Sequence, residues 1–314
     1  MDKLIGAVDI GGTKIAVGLV DDRGKAVARA VTPTDAASGF HAAMERVRGL
    51  LAGLKAEAGA ELRGIGIGST GPVEPETGRF GNVPFFPQWE GENPVTTLSQ
   101  AFGVGAGIEN DADAGALAEA AWGAARDHAR VLFVTVGTGI GVGAVLDGQV
   151  YRGAGGAHPE MGHQVIDASG PLCNCGARGC WEALASGPAI SDWFRNSAGD
   201  SNRPELTAAE ICARAASGDE RAQRAVSRAA FFLGLGLANL ITVFVPDAIV
   251  LGGSVMQSAT LFLPAIHETV RDTCRLVPCA RTSIAVSSLG ADIGLVGAAE
   301  VWRNPENRSR MEQA

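Results

Sequence analysis

Apolar positions along the chain follow two recurring periods. The run Leu4-Ile5-Gly6-Ala7-Val8, the stretch 14–20 and a third run reaching Val31 are small or β-branched apolar segments. They are cut by Gly11-Gly12 and by the polar turn 21–24, the pattern of three consecutive strands. The same pattern returns over 131–150. There Val131-Leu132-Phe133-Val134-Thr135-Val136 meets Gly137-Thr138-Gly139, an apolar run follows, and Asp147-Gly148 marks another turn. The chain therefore reads as internally duplicated, each copy opening on a β-meander. Between the copies, 39–55 spaces its apolar residues at helical intervals, 64–68 predicts a short strand, and 110–123 predicts an alanine-rich helix. After the second meander comes a loop-rich block over 153–180. Helices follow over 186–198, 207–216 and 219–242, then a buried strand over 248–251 ending in Gly252-Gly253. A strand over 284–289 and a helix over 294–302 close the pattern. Strands alternating with helices make the class α/β. The last dozen residues are expected to be disordered.

Composition narrows this picture. The 314 residues suit two domains, each large enough for its own core. With 34 acidic against 26 basic residues the net charge is -8, so a face-wide basic footprint for nucleic acid is not expected. The 43 glycines bunch beside apolar runs, as turns rather than linker. No basic leader or small-residue cleavage site precedes Leu4, which makes the cytoplasm the expected compartment. The stretch 231–245 is shorter than the roughly 20 apolar residues of a membrane span and is interrupted or ended by Asn239, Pro246 and Asp247. A buried helix running into a strand is expected there, and no membrane partner.

Candidate chemistry begins at the glycine turns. Asp9-Ile10-Gly11-Gly12-Thr13-Lys14 sets a carboxylate at a strand end before two glycines, whose backbone N–H groups a phosphate can approach, with a hydroxyl and a cation beside them. An ordinary hairpin turn has the same signature. The related run Gly137-Thr138-Gly139-Ile140-Gly141-Val142-Gly143 favours the phosphate reading, because two such turns can hold one triphosphate. Gly66-x-Gly68-x-x-Gly71 and Gly139-x-Gly141-x-x-Ala144 fit the dinucleotide fingerprint as bare patterns, but neither runs into a helix as that fingerprint requires. There is no P-loop pattern.

Glu109-Asn110-Asp111 stands between a short apolar run and the predicted helix. It reads either as a helix cap or as a carboxylate presented at a strand-to-helix junction. His163, Cys173, Cys175 and Cys180 place one imidazole and three thiols within 18 residues, the donor set of a closed structural zinc site, with buried free thiols as the alternative. Cys212, Cys274 and Cys279 read as small core residues. Glu160 and Glu182 flank the cluster, where ligation would fix both carboxylates to accept hydrogen bonds from sugar hydroxyls; solvated surface charge is the alternative.

Together these motifs, with Glu160-Met161-Gly162-His163 and Leu251-Gly252-Gly253, occur in the order that resembles the ROK family of bacterial glucokinases, fructokinases, N-acetylhexosamine kinases and sugar-responsive repressors. The resemblance covers residues 4–302. It implies an actin-like ATPase (ribonuclease H-like) fold of two α/β domains with an interdomain cleft. These are an N-terminal domain over 1–117, a C-terminal domain with the zinc loop over 118–290, and a last helix within 291–314 that returns to the first. It further implies a homodimer that phosphorylates a hexose with ATP and Mg2+ around a structural Zn2+. In that scheme Asp111 is the catalytic base, and Asn110, Asp111, Glu160, His163 and Glu182 grip the sugar, His163 through the nitrogen that zinc leaves free. Gly11, Gly12, Thr13, Lys14, Gly137, Thr138 and Gly139 form the phosphate turns. Asp9 orients magnesium through water, and Gly252-Gly253 lies against the nucleoside. The family's repressors carry a helix-turn-helix ahead of the first strand; three residues precede Leu4 here, and a kinase is expected over a repressor or a non-catalytic sugar binder. For the sugar, His158-Pro159 before Glu160 resembles the fructokinase branch, while Cys-x-Cys-Gly-x-x-Gly-Cys and the Asn-Asp pair resemble glucokinases and N-acetylhexosamine kinases. Glucose is the expected substrate.

Overall fold

Residues 3–83, 85–197 and 206–305 are described by the computed structural model. Of the last dozen residues, expected to be disordered, Arg303 closes the final helix, and those from residue 306 on lie outside the described residues. The first half runs β1 (Lys3–Ile10), β2 (Lys14–Val20), β3 (Ala26–Pro33), α1 (Phe40–Ala58) and β4 (Glu61–Ser69). It continues through the short hairpin β5 (Val73–Glu74) and β6 (Arg79–Phe80), then α2 (Pro94–Phe102), β7 (Ala106–Asn110) and α3 (Asp111–Ala121). The second half opens on β8 (Arg130–Val136), β9 (Ile140–Leu146) and β10 (Gln149–Val150). Helices α4 (Trp181–Ala185), α5 (Gly187–Asn196), α6 (Ala208–Ala216) and α7 (Glu220–Phe244) follow, then β11 (Ala248–Gly252), α8 (Leu263–Thr273), β12 (Ser283–Val286) and α9 (Ile293–Arg303).

The duplication read from the sequence is visible in the topology. One sheet has the order β3-β2-β1-β4-β7 and the other β10-β9-β8-β11-β12. In each, a meander is continued by two further strands parallel to the meander's first, β4 and β7 beside β1, β11 and β12 beside β8. Parallel strands end on the same edge, so whatever follows β1, β4 and β7 is gathered there, and likewise for β8 and β11.

The chain folds as two compact units. Unit 1 comprises Met1–Ala129, Gly143–Pro159 and Ser288–Ala314; unit 2 comprises Arg130–Val142 and Glu160–Ser287. In unit 1, one face of the sheet buries Val8, Ile10, Val17, Leu19 and Ile67 with Met44, Val47 and Leu51 of α1 and with the aromatic group Phe40, Phe80, Phe86 and Trp89. The rings of that group meet edge-on, except for a stacked Phe86 and Trp89 at 4.7 Å. The other face buries Ile5, Ala7 and Val20 under Leu295, Ala298 and Ala299 of α9. Gly66, one of the three glycines of the first apparent dinucleotide fingerprint, owes its identity to this packing: a Cβ there would sit 1.6 Å from the Ala298 carbonyl oxygen. It is a helix-on-sheet contact, and the chain after it enters β5 rather than a helix.

In unit 2 the central helix is α7. Asp219 caps it, its carboxylate accepting from the N–H groups of Arg221 (2.9 Å) and Ala222 (3.0 Å). Its Ala222, Val226, Ala229, Leu233, Leu237 and Ile241 stripe is buried. By length and composition α7 could cross a membrane, but 56% of its most apolar window is buried inside the protein. Three helices that the sequence pattern left unassigned are α2, the short α4 and α8. The predicted strand over 284–289 starts one residue earlier and stops at Val286.

Candidate active site

The first cluster lies in unit 1, at the carboxyl ends of β1, β4 and β7. Asp9 pairs in register with Gly68, and Ser69 with Asn110, so the ends of the three strands stand side by side. The chain leaves β1 through the turn 11–13, which the Gly11 N–H closes on the Lys14 oxygen (3.0 Å). Thr34, fully buried, braces the turn: its hydroxyl donates to the Gly11 oxygen at 2.6 Å and its N–H to the Thr13 oxygen at 3.0 Å. Gly12, Thr13 and Lys14 are left exposed. β7 ends at Asn110, the cap of α3. The side-chain oxygens of Asn110 and Asp111 both accept from the Ala112 N–H at 2.8 Å. The cap reading of this pair therefore holds, and it coexists with an Asp111 carboxylate that is exposed at the head of the helix.

Asp9 carries the electrostatic signature. One edge reaches solvent, but protein atoms crowd its carboxyl, including the start of α9, where a Cβ on Gly294 would lie 2.2 Å from Oδ2. Burial raises its pKa from 3.8 to about 7, the charge of Asp111 raises it further within that value, and Lys14 opposes both. Asp9 and Asp111 thus bring two carboxylates that repel one another to one sheet edge, beside an exposed glycine turn. That donor set fits a divalent cation.

Two buried ion pairs tie the segment 152–158 to the same edge. Arg152 pairs with Glu109 through its Nη2, the side chains 9% and 1% exposed. His158 Nδ1 meets Asp113 Oδ2 at 2.7 Å. Glu109, Asp111 and Asp113 thus alternate: the outer two are held inside, and the middle one faces out. Sequence reasoning had Glu109 and Asp111 in view but missed Asp113 and Arg152, whose only signals were an acid in the first turn of the predicted helix and a lone arginine beside a glycine-rich stretch.

The second cluster lies in unit 2. The turn 137–139 between β8 and β9 is closed by the Gly137 N–H donating to the Gly139 oxygen (2.9 Å), with Thr138 exposed at its tip. Its Gly137 oxygen accepts from the Gly187 N–H at the start of α5 (2.8 Å). Gly252-Gly253 ends β11 beside β8, and Gly253 has a φ of 89°. Glu182 Oε2 accepts from the Ile140 N–H at 3.0 Å, so this carboxylate, expected to face a sugar, also holds the turn. A cavity of about 380 Å³ opens beside Thr138 and Glu182.

His163, Cys173, Cys175 and Cys180 come together as expected, their donor atoms all within 4.8 Å of one another. Cys173 Sγ is 3.5 Å from His163 Nδ1, and Cys175 Sγ is 3.5 Å from Cys180 Sγ. These spacings fit a tetrahedral ion with bonds of about 2.3 Å to sulfur, whose donors stand about 3.8 Å apart. Burial lifts the Cys180 thiol to about 12, whereas the Ala177 N–H and neighbouring thiols lower Cys175. His163 turns Nδ1 to the cluster, which leaves Nε2 for another partner. Glu160 precedes it, exposed.

A family model described as the ROK family matches residues 5–304. The chain belongs to the ROK family. It is 32% identical over 311 residues to a glucokinase of Thermotoga maritima, an alignment covering 95% of this chain and 96% of that protein. Among solved structures, a ROK hexokinase from Thermus thermophilus matches with a TM-score of 0.84 at 34% identity, over 95% of this chain and 97% of that one. A ROK family glucokinase from Streptomyces griseus, solved with glucose and AMPPNP, matches with a TM-score of 0.80 at 30% identity, over 95% and 98%. The expected fold class therefore stands: this ROK chain has the α/β, actin-like ATPase fold.

Proposed function

We propose that this protein is an ATP-dependent sugar kinase of glucokinase type, which moves the γ-phosphoryl group of ATP to a hydroxyl of glucose. The carrying observation is that Asp9 and Asp111 bring two carboxylates to one sheet edge, beside the exposed turn 11–13. Phosphoryl transfer passes through a loose transition state, so alignment and charge neutralisation are the main work. Asp111, exposed at the head of α3, orients the sugar hydroxyl and accepts its proton as the transfer completes. Asn110, Glu160, His163 and Glu182 accept and donate hydrogen bonds to the remaining hydroxyls. The backbone donors of Gly11, Gly12, Thr13, Gly137, Thr138 and Gly139 hold the phosphates, Lys14 adds a cation, and Gly252-Gly253 borders the nucleoside. Asp9 is the residue to hold magnesium, which supplies charge neutralisation to the triphosphate when bound. His163, Cys173, Cys175 and Cys180 hold a structural zinc ion that orders the loop carrying Glu160 and Glu182. The same reading makes the enzyme a cytoplasmic homodimer, which light scattering on the purified protein tests.

The deciding experiment is coupled ADP release over glucose, fructose, mannose, N-acetylglucosamine and N-acetylmannosamine. Glucose is expected to give the highest kcat/KM. A maximum at another sugar moves the substrate assignment, and the absence of sugar-dependent ADP release with all five defeats the kinase reading.

A further inference from the structure

We infer that Glu182 is a positioning residue for the nucleotide, holding the 137–139 turn in its phosphate-binding shape before any sugar arrives. The inference rests on the kinase reading above and adds a second duty to a carboxylate assigned there to the sugar. Its basis lies wholly within unit 2. Glu182 Oε2 accepts from the Ile140 N–H at 3.0 Å, directly after the turn. The carboxylate also fills the space over Gly139, where a Cβ would come within 2.4 Å of Oε2 although the backbone φ there suits any residue. Ile140 is gripped from its other side as well: Gly162 packs so close that a Cβ on it would lie 1.9 Å from the Ile140 oxygen. Gly162 precedes His163, and Glu182 follows Cys180 by two residues, so both flanks of the thiol and imidazole cluster converge on the residue that ends the turn. The cluster thereby braces the nucleotide side of the enzyme.

The sign of the effect separates this role from simple electrostatics. A carboxylate near a phosphate repels it, so if charge alone mattered, deleting Glu182 would tighten nucleotide binding. If the hydrogen bond to Ile140 shapes the turn, deletion loosens binding, whereas glutamine, which keeps the acceptor and drops the charge, does not.

The test is titration of Mg·ADP into the sugar-free protein by calorimetry, with zinc content and circular dichroism matched to wild type. Glu182→Ala is expected to weaken Mg·ADP about ten-fold, the loss typical of one charged hydrogen bond, and Glu182→Gln to bind at least as tightly as wild type. Gly139→Ala serves as a second route should the Glu182→Ala protein not fold: its methyl displaces the carboxylate and should cost about as much. In the double variant the two losses should not add, because no carboxylate remains to be displaced. Equal or tighter Mg·ADP binding by Glu182→Ala, or by Gly139→Ala where that variant stands alone, overturns the inference; so do additive losses. A wild-type protein that binds no Mg·ADP defeats the kinase reading itself, a result distinct from wild-type binding that the variants leave untouched.

Discussion

Replacing Asp9 by asparagine should make the ligand-free protein more stable at alkaline pH while destroying its activity. The carboxyl has its pKa raised from 3.8 to about 7 in the folded chain, first by burial and then by Asp111. A carboxyl raised on folding binds its proton more tightly in the native state, so its contribution is most favourable below pH 3.8. That contribution is lost progressively as pH rises to about 7. At about 1.36 kcal/mol per pH unit, the ionised Asp9 costs the folded protein on the order of 4 kcal/mol above pH 7. Spread over an unfolding entropy of about 2.1 cal/mol/K per residue, that corresponds to a rise in Tm of about 6 °C for Asp9→Asn. The assay is thermal unfolding followed by circular dichroism between pH 4.5 and 8.5 without nucleotide, paired with coupled ADP release. The gain should be full at pH 8, shrink toward pH 4.5, and be matched in the wild type by added magnesium. A variant no more stable than wild type at pH 8, or one whose advantage is undiminished at pH 4.5, would refute the claim that burial and Asp111 together outweigh Lys14 at this strand end.

Asp111→Asn should lower kcat at least a thousand-fold with little change in sugar affinity; retention of most of the rate in stopped assays removes Asp111 as the base. Cys175→Ser should lose bound zinc by elemental analysis and weaken glucose binding with it, and full metal content in that variant takes Cys175 out of the ligand set. Arg152→Met should destabilise the fold by about 3 kcal/mol in urea unfolding, since it strips Glu109 of a buried charge partner.

Much of this architecture was legible in the sequence, because strands and helices announce themselves by period and turn chemistry. Both meanders, the long helix α7 and the helices α1, α3, α5 and α6 fell where spacing put them. The helix α2 did carry its start and stop signals, with Asn93 capping, Pro94 in the first turn and Gly103 at the end in a left-handed conformation. Between them the β-branched run Val95-Thr96-Thr97 lowers the helical propensity. The helix α8 has buried Ile266, Thr269 and Val270 at helical spacing, but Phe262 before it offers no capping side chain. At the site, the glycine turns, the neighbouring Asn110 and Asp111 and the imidazole and thiol cluster were readable because each is local in sequence. The contacts that were not readable join residues some 40 positions apart: Arg152 with Glu109, His158 with Asp113, and Glu182 with Ile140. Such pairs leave no periodic trace, and only the folded chain discloses them.

The position of α9 bears on how the protein is made. Strand β1 and the far face of β4 are among the first segments to leave the ribosome, yet the helix that covers Ile5, Ala7 and Val20 is synthesised more than 200 residues later. A nascent chain therefore carries an uncovered apolar sheet face through most of its elongation. Premature termination before Ile293 leaves that face bare and the backbone around Asp9 unsupported. Chaperone demand during translation, and the loss of the sheet edge that carries Asp9 in late-truncated alleles, follow from this one returning helix.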